Sequence, residues 1–75
     1  MVNKDDIYYM KKALVEIEII IKYTNGLSYA QFMSDGRNID ATIFRLEQMI
    51  EHIKHLSPEF QQDHSDIPWG RYYWI

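Results

Sequence analysis

Apolar and polar positions alternate with a helical period in two long stretches of this 75-residue chain. Between residues 38 and 56, apolar side chains recur at intervals of four and three residues, the spacing of one face of an α-helix. The stripe consists of Ile39, Ile43, Leu46, Ile50 and Ile53, and it is widened by Phe44, Met49 and Leu56. A helix with so broad an apolar face must be covered, so we expect the rest of the domain to pack around it.

The first long stretch predicts a helix over about residues 4–23. Asp5 and Asp6 favour a helix start there, and Asn25-Gly26 favours a left-handed exit from its end. Ile19 and the residue after it fall outside the narrow apolar stripe. They either widen a core face or form a second contact surface for another subunit. The stripe itself consists of Ile7, Met10, Leu14, Ile17 and Ile21.

Capping residues mark three shorter helices. Ser28 and Gln31 fit the capping box, in which each side chain bonds the backbone of the other residue. Ser57 followed by Pro58 places a cap before a proline at the first helical position. The short helices are predicted over about residues 29–34, 58–64 and 68–75. The pattern therefore predicts one all-α domain over residues 1–75.

Composition excludes several classes of protein. The chain has no cysteine, so it has neither disulfides nor a thiolate metal site. Its net charge is -3 and its lysines and arginines are scattered, which disfavours a nucleic-acid-binding patch. No apolar run approaches the roughly 18 residues of a membrane span, and the charged start does not resemble a signal peptide. We expect a cytoplasmic protein with no membrane partner.

Histidines on the long helix are the first candidates for chemistry. His52 and His55 are three residues apart, and Glu51, Asp63 or His64 could complete a metal site with them. Zinc sites need three or four converging ligands. A helical histidine pair without an established third ligand is more typical of a surface or an interface, so we predict no metal and no cofactor.

Acidic residues on the same helix allow two interpretations. Glu47 and Glu51 are four residues apart and could act as acid catalysts or Mg²⁺ ligands. The favoured interpretation is a solvated face on which Glu51 pairs with Lys54, three residues later. No nucleophile lies beside a base in the sequence, so spacing alone does not identify an enzyme.

Aromatic residues crowd the end of the chain at Trp69, Tyr72, Tyr73 and Trp74. They could anchor at a membrane surface, stack on single-stranded nucleic acid, or form a core or subunit interface. A stacking platform normally has a positive groove, but Arg71 is the only cation here. We favour the core or subunit interface. The remaining candidate interface residues are Ile19, Phe44 and Met49.

Short motifs follow one another in order along nearly the whole chain. They are residues 5–23, Gly26-Leu27-Ser28-Tyr29-Ala30-Gln31-Phe32, Asp40-Ala41, Arg45-Leu46-Glu47, Lys54-His55-Leu56-Ser57-Pro58-Glu59-Phe60 and Ile67-Pro68-Trp69. In this order they resemble the HepT-like family of the HEPN superfamily, a group of small helical proteins. The tripeptide Ile67-Pro68-Trp69 after Leu-Ser-Pro-Glu-Phe is the most specific part of the resemblance.

The resemblance implies an up-and-down bundle of four to five helices that forms a homodimer. It also implies a metal-independent ribonuclease toxin, encoded beside a nucleotidyltransferase antitoxin that is a possible partner. The family's active site is an arginine followed by a histidine about four to six residues later, on the helix that Ile-Pro-Trp opens. Such a pair suits acid–base catalysis and charge stabilisation on RNA.

The chain departs from that pattern after Trp69. Arg71 matches an ordinary basic position of the family, and no histidine follows it in residues 72–75. We therefore carry over no catalytic residue and expect a C-terminally truncated, incomplete version of the four-helix bundle. Ile50 also stands where many members have glycine, so we expect the neighbouring helix to pack differently.

Three functional hypotheses follow. The first is a catalytically inactive protein that dimerises or binds a partner through an apolar groove between its two long helices. The alternative is a residual RNA-binding protein or ribonuclease toxin component that uses His52, His55 and His64. The third is the product of a frameshifted or prematurely stopped gene without a selected function.

Overall fold

A computed structural model describes residues 3–72, except for the side chains of Arg71 and Tyr72. Five helices and no strand occur in this range, so the predicted all-α fold is confirmed. The helices are α1 (Lys4–Thr24), α2 (Tyr29–Met33), α3 (Gly36–Lys54), α4 (Pro58–Asp63) and α5 (Trp69–Tyr72). Tyr73, Trp74 and Ile75, which the sequence assigns to the last helix, lie outside the described residues.

Local sequence signals determine where the helices begin and end. Ser28 and Gln31 form the predicted capping box, with bonds of 2.9 and 3.1 Å. Gly26 has a φ of 79°, the left-handed conformation expected after α1. The start of α3 lies two residues before the predicted one, because the Asp35 side chain accepts a 3.1 Å bond from the backbone N–H of Asn38.

Helices α1 and α3 form an antiparallel pair. The Asn38 amide at the start of α3 donates a 2.7 Å hydrogen bond to the Tyr23 carbonyl near the end of α1. At the opposite end of the pair, the rings of Tyr9 and His55 stack with centroids 4.7 Å apart. These contacts fix both the direction of α3 and its axial position along α1.

The face that α1 turns toward α3 is not the predicted apolar stripe. Asp6 and Ala13 are each only 3% exposed, whereas Leu14 is 51% and Ile21 is 55% exposed. The stripe residues Ile7 and Leu14 each lie one position after a buried residue, Asp6 and Ala13. Most of the apolar stripe of α1 is therefore exposed in the described chain.

Hydrogen bonds join the start of α4 to the start of α1, and α5 to the end of α4. Both carboxylate oxygens of Asp6 accept hydrogen bonds from Ser57, at 2.8 Å from its backbone N–H and 2.7 Å from its hydroxyl. The indole N–H of Trp69 donates to the carbonyls of Gln61 and His64 at 3.0 and 3.1 Å. Trp69 thus satisfies carbonyls at the end of α4, which a helix otherwise leaves unpaired.

Two long helices side by side give an elongated molecule. Its extents are 44 × 21 × 17 Å. The radius of gyration is 14.3 Å, compared with about 11 Å for a compact domain of this length. Among the helices of residues 3–72, none is both long and apolar enough to cross a membrane.

Candidate functional site

Exposed apolar side chains are concentrated on α1 and α3. On α1 the exposed fractions are 43% for Ile7, 51% for Leu14, 37% for Ile17 and 55% for Ile21. On α3 the exposed fraction of Ile43 is 48%. We call these five residues the open face. Only three apolar residues are buried within the described chain, namely Ala13, Ile50 and Leu56. Most of the apolar pattern seen in the sequence is therefore on the surface.

Helix geometry places the open face on one side of the α1–α3 pair. On α1, Ile7 and Leu14 each follow a buried residue by one position, which is a rotation of about 100°. On α3, Ile43 follows the buried Thr42 by the same step. Because the two helices run in opposite directions, the same step along each chain turns both sets of side chains toward the same side. Ile43 on α3 therefore lies on the same side of the pair as the exposed residues of α1.

The total accessible surface of the chain is large for its mass. The chain exposes 5944 Å², whereas a folded monomer of its mass typically exposes about 4,900 Å². The excess of about 1,000 Å² is comparable with the roughly 800 Å² that each partner contributes to a standard protein–protein interface. Exposed apolar patches of this size mark interaction sites.

Charges of opposite sign border the open face. The outer border of α1 carries Lys4, Lys11 and Lys22 with one glutamate, Glu18, and all four residues are exposed. The outer border of α3 carries Asp40, Glu47 and Glu51 with one lysine, Lys54, and these are also exposed. Glu51 and Lys54 form the predicted i,i+3 ion pair at 3.4 Å. One border is therefore basic and the other acidic.

The opposite side of the pair is polar and aromatic. Arg45 bonds Glu16 across the two helices at 3.4 Å. A side-chain hydrogen bond with Tyr23 raises the pKa of Arg45, desolvation opposes the rise, and Glu16 adds to it. Tyr9 lies between His52 and His55, with ring centroids 6.4 and 4.7 Å away. On this side Arg45 and Glu16 contact each other, whereas the five aliphatic side chains of the open face are exposed in the described chain.

The candidate metal ligands do not converge. His52 and His55 lie against Tyr9, whereas the His64 ring packs on Phe60 at 4.6 Å. Within residues 3–72, no group of three or more histidines, aspartates or glutamates is arranged to hold a metal ion. Glu47 and Glu51 are exposed, as the solvated-face interpretation predicts.

A shallow cleft of about 270 Å³ lies between the start of α1 and α4. Its polar lining includes Asp6, Ser57, Glu59, Asp63 and His64. Asp6 and Ser57 already bond each other there, so their polar atoms are used in holding α4 to α1. The cleft thus lies where these two hydrogen bonds hold α4 to α1.

The predicted interface residues do not gather in one place. Phe44 is 52% exposed on the outer border of α3. Ile19, Met49 and Trp69 are partly buried. Tyr72 belongs to α5, but its side chain, together with Tyr73 and Trp74, lies outside the described residues. An interface at these residues stays a prediction, and the open face runs instead along positions that the sequence assigned to the core.

Sequence reasoning missed Asp6 as a tertiary contact. The residue was interpreted as a favourable charge at the helix start, but its carboxylate is buried and bonds Ser57, 51 positions away. Only knowledge of which helix ends meet could have revealed this pairing. The burial of Ala13 was also missed. Alanine is only weakly apolar, so an apolar pattern does not single it out, although Ala13 is 3% exposed.

Two long antiparallel helices, with short capped helices at their ends and exposed apolar residues on one side, define a small helical domain. The chain belongs to the ribonuclease HepT-like family, whose model matches residues 13–73. This finding agrees with the resemblance drawn from the ordered motifs.

Named relatives support the same family. The chain is 34% identical over 61 residues to "Putative RNase TTE0752" of Caldanaerobacter subterraneus subsp. tengcongensis, covering 81% of this chain and 54% of the relative. It is 34% identical over 70 residues to "Gamma-glutamylcyclotransferase and putative RNase MJ0434" of Methanocaldococcus jannaschii, covering 93% and 32%. It is 29% identical over 69 residues to "Putative RNase MJ0127" of the same archaeon, covering 92% and 57%.

The chain thus spans from about a third to somewhat more than half the length of these curated relatives. No solved structure matches it significantly.

Proposed function

We propose that these 75 residues form a partner-binding helical protein of the ribonuclease HepT-like family and do not cleave RNA by themselves. The observation that carries the proposal is the open face, which exposes five large aliphatic side chains on one side of the α1–α3 pair. A domain of this size gains much of its stability from apolar burial. A partner that covers the face would supply the burial that the chain lacks.

The lack of an arginine–histidine pair in residues 70–75 supports the proposal that these 75 residues do not cleave RNA by themselves. In the family that the chain resembles, both residues lie on the helix that Ile-Pro-Trp opens. Here, residues 70–75 contain Arg71 but no histidine. Elsewhere in the chain, Arg45 is engaged with Glu16. His52 and His55 lie against Tyr9. None of these groups is free to combine a catalytic acid or base with a neighbouring positive charge.

Association and RNA cleavage can be tested separately. The double variant Leu14→Asp/Ile21→Asp puts two charges on the open face, and we expect it to abolish association. Tyr29→Asp is the control, because Tyr29 is 81% exposed on α2, away from the face. Light scattering coupled to gel filtration at about 100 μM detects micromolar association, and circular dichroism checks that each variant keeps its helices.

The partner for the test is either this chain or a nucleotidyltransferase encoded beside it, which the family resemblance implies as antitoxin. Loss of binding in the double variant but not in Tyr29→Asp supports the proposal. A wild-type chain that binds neither candidate overturns it. Incubation with a structured single-stranded RNA should leave the RNA intact, and cleavage that survives repurification would contradict the claim of inactivity.

A second candidate function is RNA binding on the polar side of the pair. It is favoured by one observation, the aromatic and cationic groups that meet there: Lys12 lies 5.5 Å from the Tyr8 ring centroid, and Tyr9 stacks on His55. Binding of a fluorescent oligonucleotide that is lost in His52→Ala/His55→Ala would support it. No binding at low ionic strength would remove it.

The proposal also includes where the chain lies in the cell and which kind of system it is part of. We place the chain in the cytoplasm as a component of a toxin–antitoxin pair, on the basis of the family resemblance and a sequence without cysteine.

A further inference from the structure

We infer that Asn25, in the turn between α1 and α2, is a site of spontaneous deamidation, and that the product loosens the end of α1 where it is aligned with α3. The inference is independent of which partner covers the open face. It is carried by the residue that follows Asn25, by the free side-chain amide of Asn25, and by the hydrogen bonds that the reaction disturbs.

The residue after Asn25 leaves its backbone nitrogen open to reaction. Gly26 has a φ of 79°, and no atom lies within 4 Å of the place where a Cβ would be. Glycine has no side chain to shield its backbone nitrogen, and its backbone rotates more freely than that of any other residue. Asparagine side chains are thermally labile, and here the nitrogen that attacks them is unshielded.

The three asparagines of the chain differ in how their side chains are held. The Asn3 side chain accepts a 2.8 Å hydrogen bond from the Asp5 N–H, and the Asn38 side chain donates a 2.7 Å bond to the Tyr23 carbonyl. Asn25 is exposed, and its side chain makes no hydrogen bond within residues 3–72. Asn3 is followed by a lysine and Asn38 by an isoleucine, so Asn25 alone combines a free amide with a following glycine.

Few hydrogen bonds hold the turn at Asn25. A bond of 3.2 Å from the Leu27 N–H to the Thr24 carbonyl closes it, which is the long end of the usual range. The Gly26 N–H makes no backbone hydrogen bond within the part of the chain that the structure describes. The ψ of Asn25 is 130°, so the Gly26 nitrogen reaches the side chain by rotation about the Asn25 Cα–C bond. Helix ends open locally at a low cost in free energy, which permits this rotation.

The reaction needs no reactant other than water. The Gly26 nitrogen loses its proton and bonds to the side-chain carbonyl carbon of Asn25, and the side-chain nitrogen takes up a proton and leaves as ammonia. Water then opens the five-membered imide. Cleavage of the new bond gives aspartate, whereas cleavage of the original backbone bond gives isoaspartate, in which the chain continues through the former side chain. Both products carry a negative charge, and isoaspartate also lengthens the backbone.

Both changes act on the end of α1. The carbonyls at a helix C-terminus carry partial negative charge, so a carboxylate at position 25 is unfavourable there. The added backbone carbon of isoaspartate lies inside the turn that the bond between Leu27 and Thr24 closes, and we expect that bond to be lost. Fraying then extends toward Tyr23, whose carbonyl accepts the bond from Asn38 that aligns α3 with α1.

Ageing of the folded chain tests the site. Wild type and Asn25→Gln are kept at mildly alkaline pH, and peptide mapping by mass spectrometry locates each residue converted to aspartate or isoaspartate. Position 25 should be converted before Asn3 and Asn38, and faster as the pH rises, because the attacking nitrogen must lose its proton. Asn25→Gln should lose this conversion, because glutamine must close a six-membered ring, which forms more slowly. Circular dichroism checks that the variant keeps its helices.

Freshly prepared Asn25→Asp separates the added charge from the lengthened backbone. Hydrogen exchange is measured at the Leu27 amide and at the amides in the last turn of α1. Exchange should be slowest in fresh wild type, faster in fresh Asn25→Asp, and fastest in aged wild type.

Conversion at position 25 of the folded chain, together with faster exchange at the end of α1, supports the inference. Conversion that occurs only in urea, or to the same extent at all three asparagines, means that the folded turn protects Asn25 and overturns the site. Conversion at position 25 that leaves hydrogen exchange unchanged overturns the loosening of α1.

Discussion

Asp6 is an acidic residue in a position where a folded protein usually places an apolar one. Its side chain is 3% exposed, yet it is not isolated, because Ser57 donates to each of its carboxylate oxygens. Ser57 also caps α4, accepting a 3.1 Å bond from the backbone N–H of Phe60. The Asp6–Ser57 pair therefore joins the start of α1 to the start of α4 through three hydrogen bonds.

Substitution of Asp6 tests how much this joint stabilises the fold. We expect Asp6→Ala to lower the free energy of unfolding by about 2 to 4 kcal/mol, since it removes two hydrogen bonds to a charged group and leaves the Ser57 N–H unpaired. Asp5→Ala is the control, because Asp5 lies in the same first turn but is exposed. Its cost should be about 0.5 kcal/mol or less.

Urea unfolding at one fixed protein concentration measures both values. Equal effects of the two substitutions would mean that both aspartates act only through the helix terminus, and that the bonds to Ser57 add nothing.

At the scale of elements, the sequence determines most of the fold because helix boundaries depend on residues close together in the chain. Ser28 with Gln31, Ser57 with Pro58, and Asn25 with Gly26 all act where the pattern predicts. The rotation of α1 about its own axis is different, since it depends on what packs against it. The five-residue stripe marked one face of α1 as apolar, but the buried residues Asp6 and Ala13 lie on a neighbouring face.

The candidate site was therefore only partly predictable. The sequence predicted an apolar groove between the two long helices and named Phe44 and Trp69 among the candidate interface residues, and that interface stays a prediction. The open face arises from the rotation of α1, which no local pattern encodes. Asp6 illustrates the same limit, because its partner is 51 positions away.

Two glycines at the ends of the long helices should respond oppositely to alanine. Gly26 has a φ of 79°, so Gly26→Ala should cost about 1 kcal/mol of stability although nothing lies within 4 Å of the added methyl group. Gly36 opens α3 without a positive φ and with equally open space. Gly36→Ala should raise stability by about 0.5 kcal/mol, because it restricts the unfolded chain. Thermal unfolding of the two variants, followed by circular dichroism, checks the signs, and a loss of stability in Gly36→Ala would contradict the account of its conformation.

At the scale of the whole molecule, folding and association should be linked. The described chain buries only three apolar side chains, and none of its large side chains is fully buried. A domain below about 80 residues with so small a core is marginal by itself. If a partner covers the open face, as we propose, the burial it supplies should add to the stability of the chain.

This linkage predicts a melting temperature that depends on protein concentration. If folding and dimerisation are coupled, each tenfold dilution removes about 1.4 kcal/mol of stabilisation. Scans between about 1 and 100 μM should therefore show a steady fall in the midpoint on dilution. The double variant Leu14→Asp/Ile21→Asp should show no such dependence. A wild-type midpoint that stays constant over this range would mean that the monomer is stable without a partner.

The bonds between Asp6 and Ser57 also bear on the order in which the chain folds. They close a loop of 51 residues, whereas α1 and α3 are joined by the short segment around α2. Longer loops lose more chain entropy on closing, so the joint can form cheaply only after α1 and α3 have already brought its two ends together. We therefore expect α4 to dock after α1 and α3 have paired, and we expect the backbone amide of Ser57 to exchange its hydrogen sooner than the amides in the middle of α3.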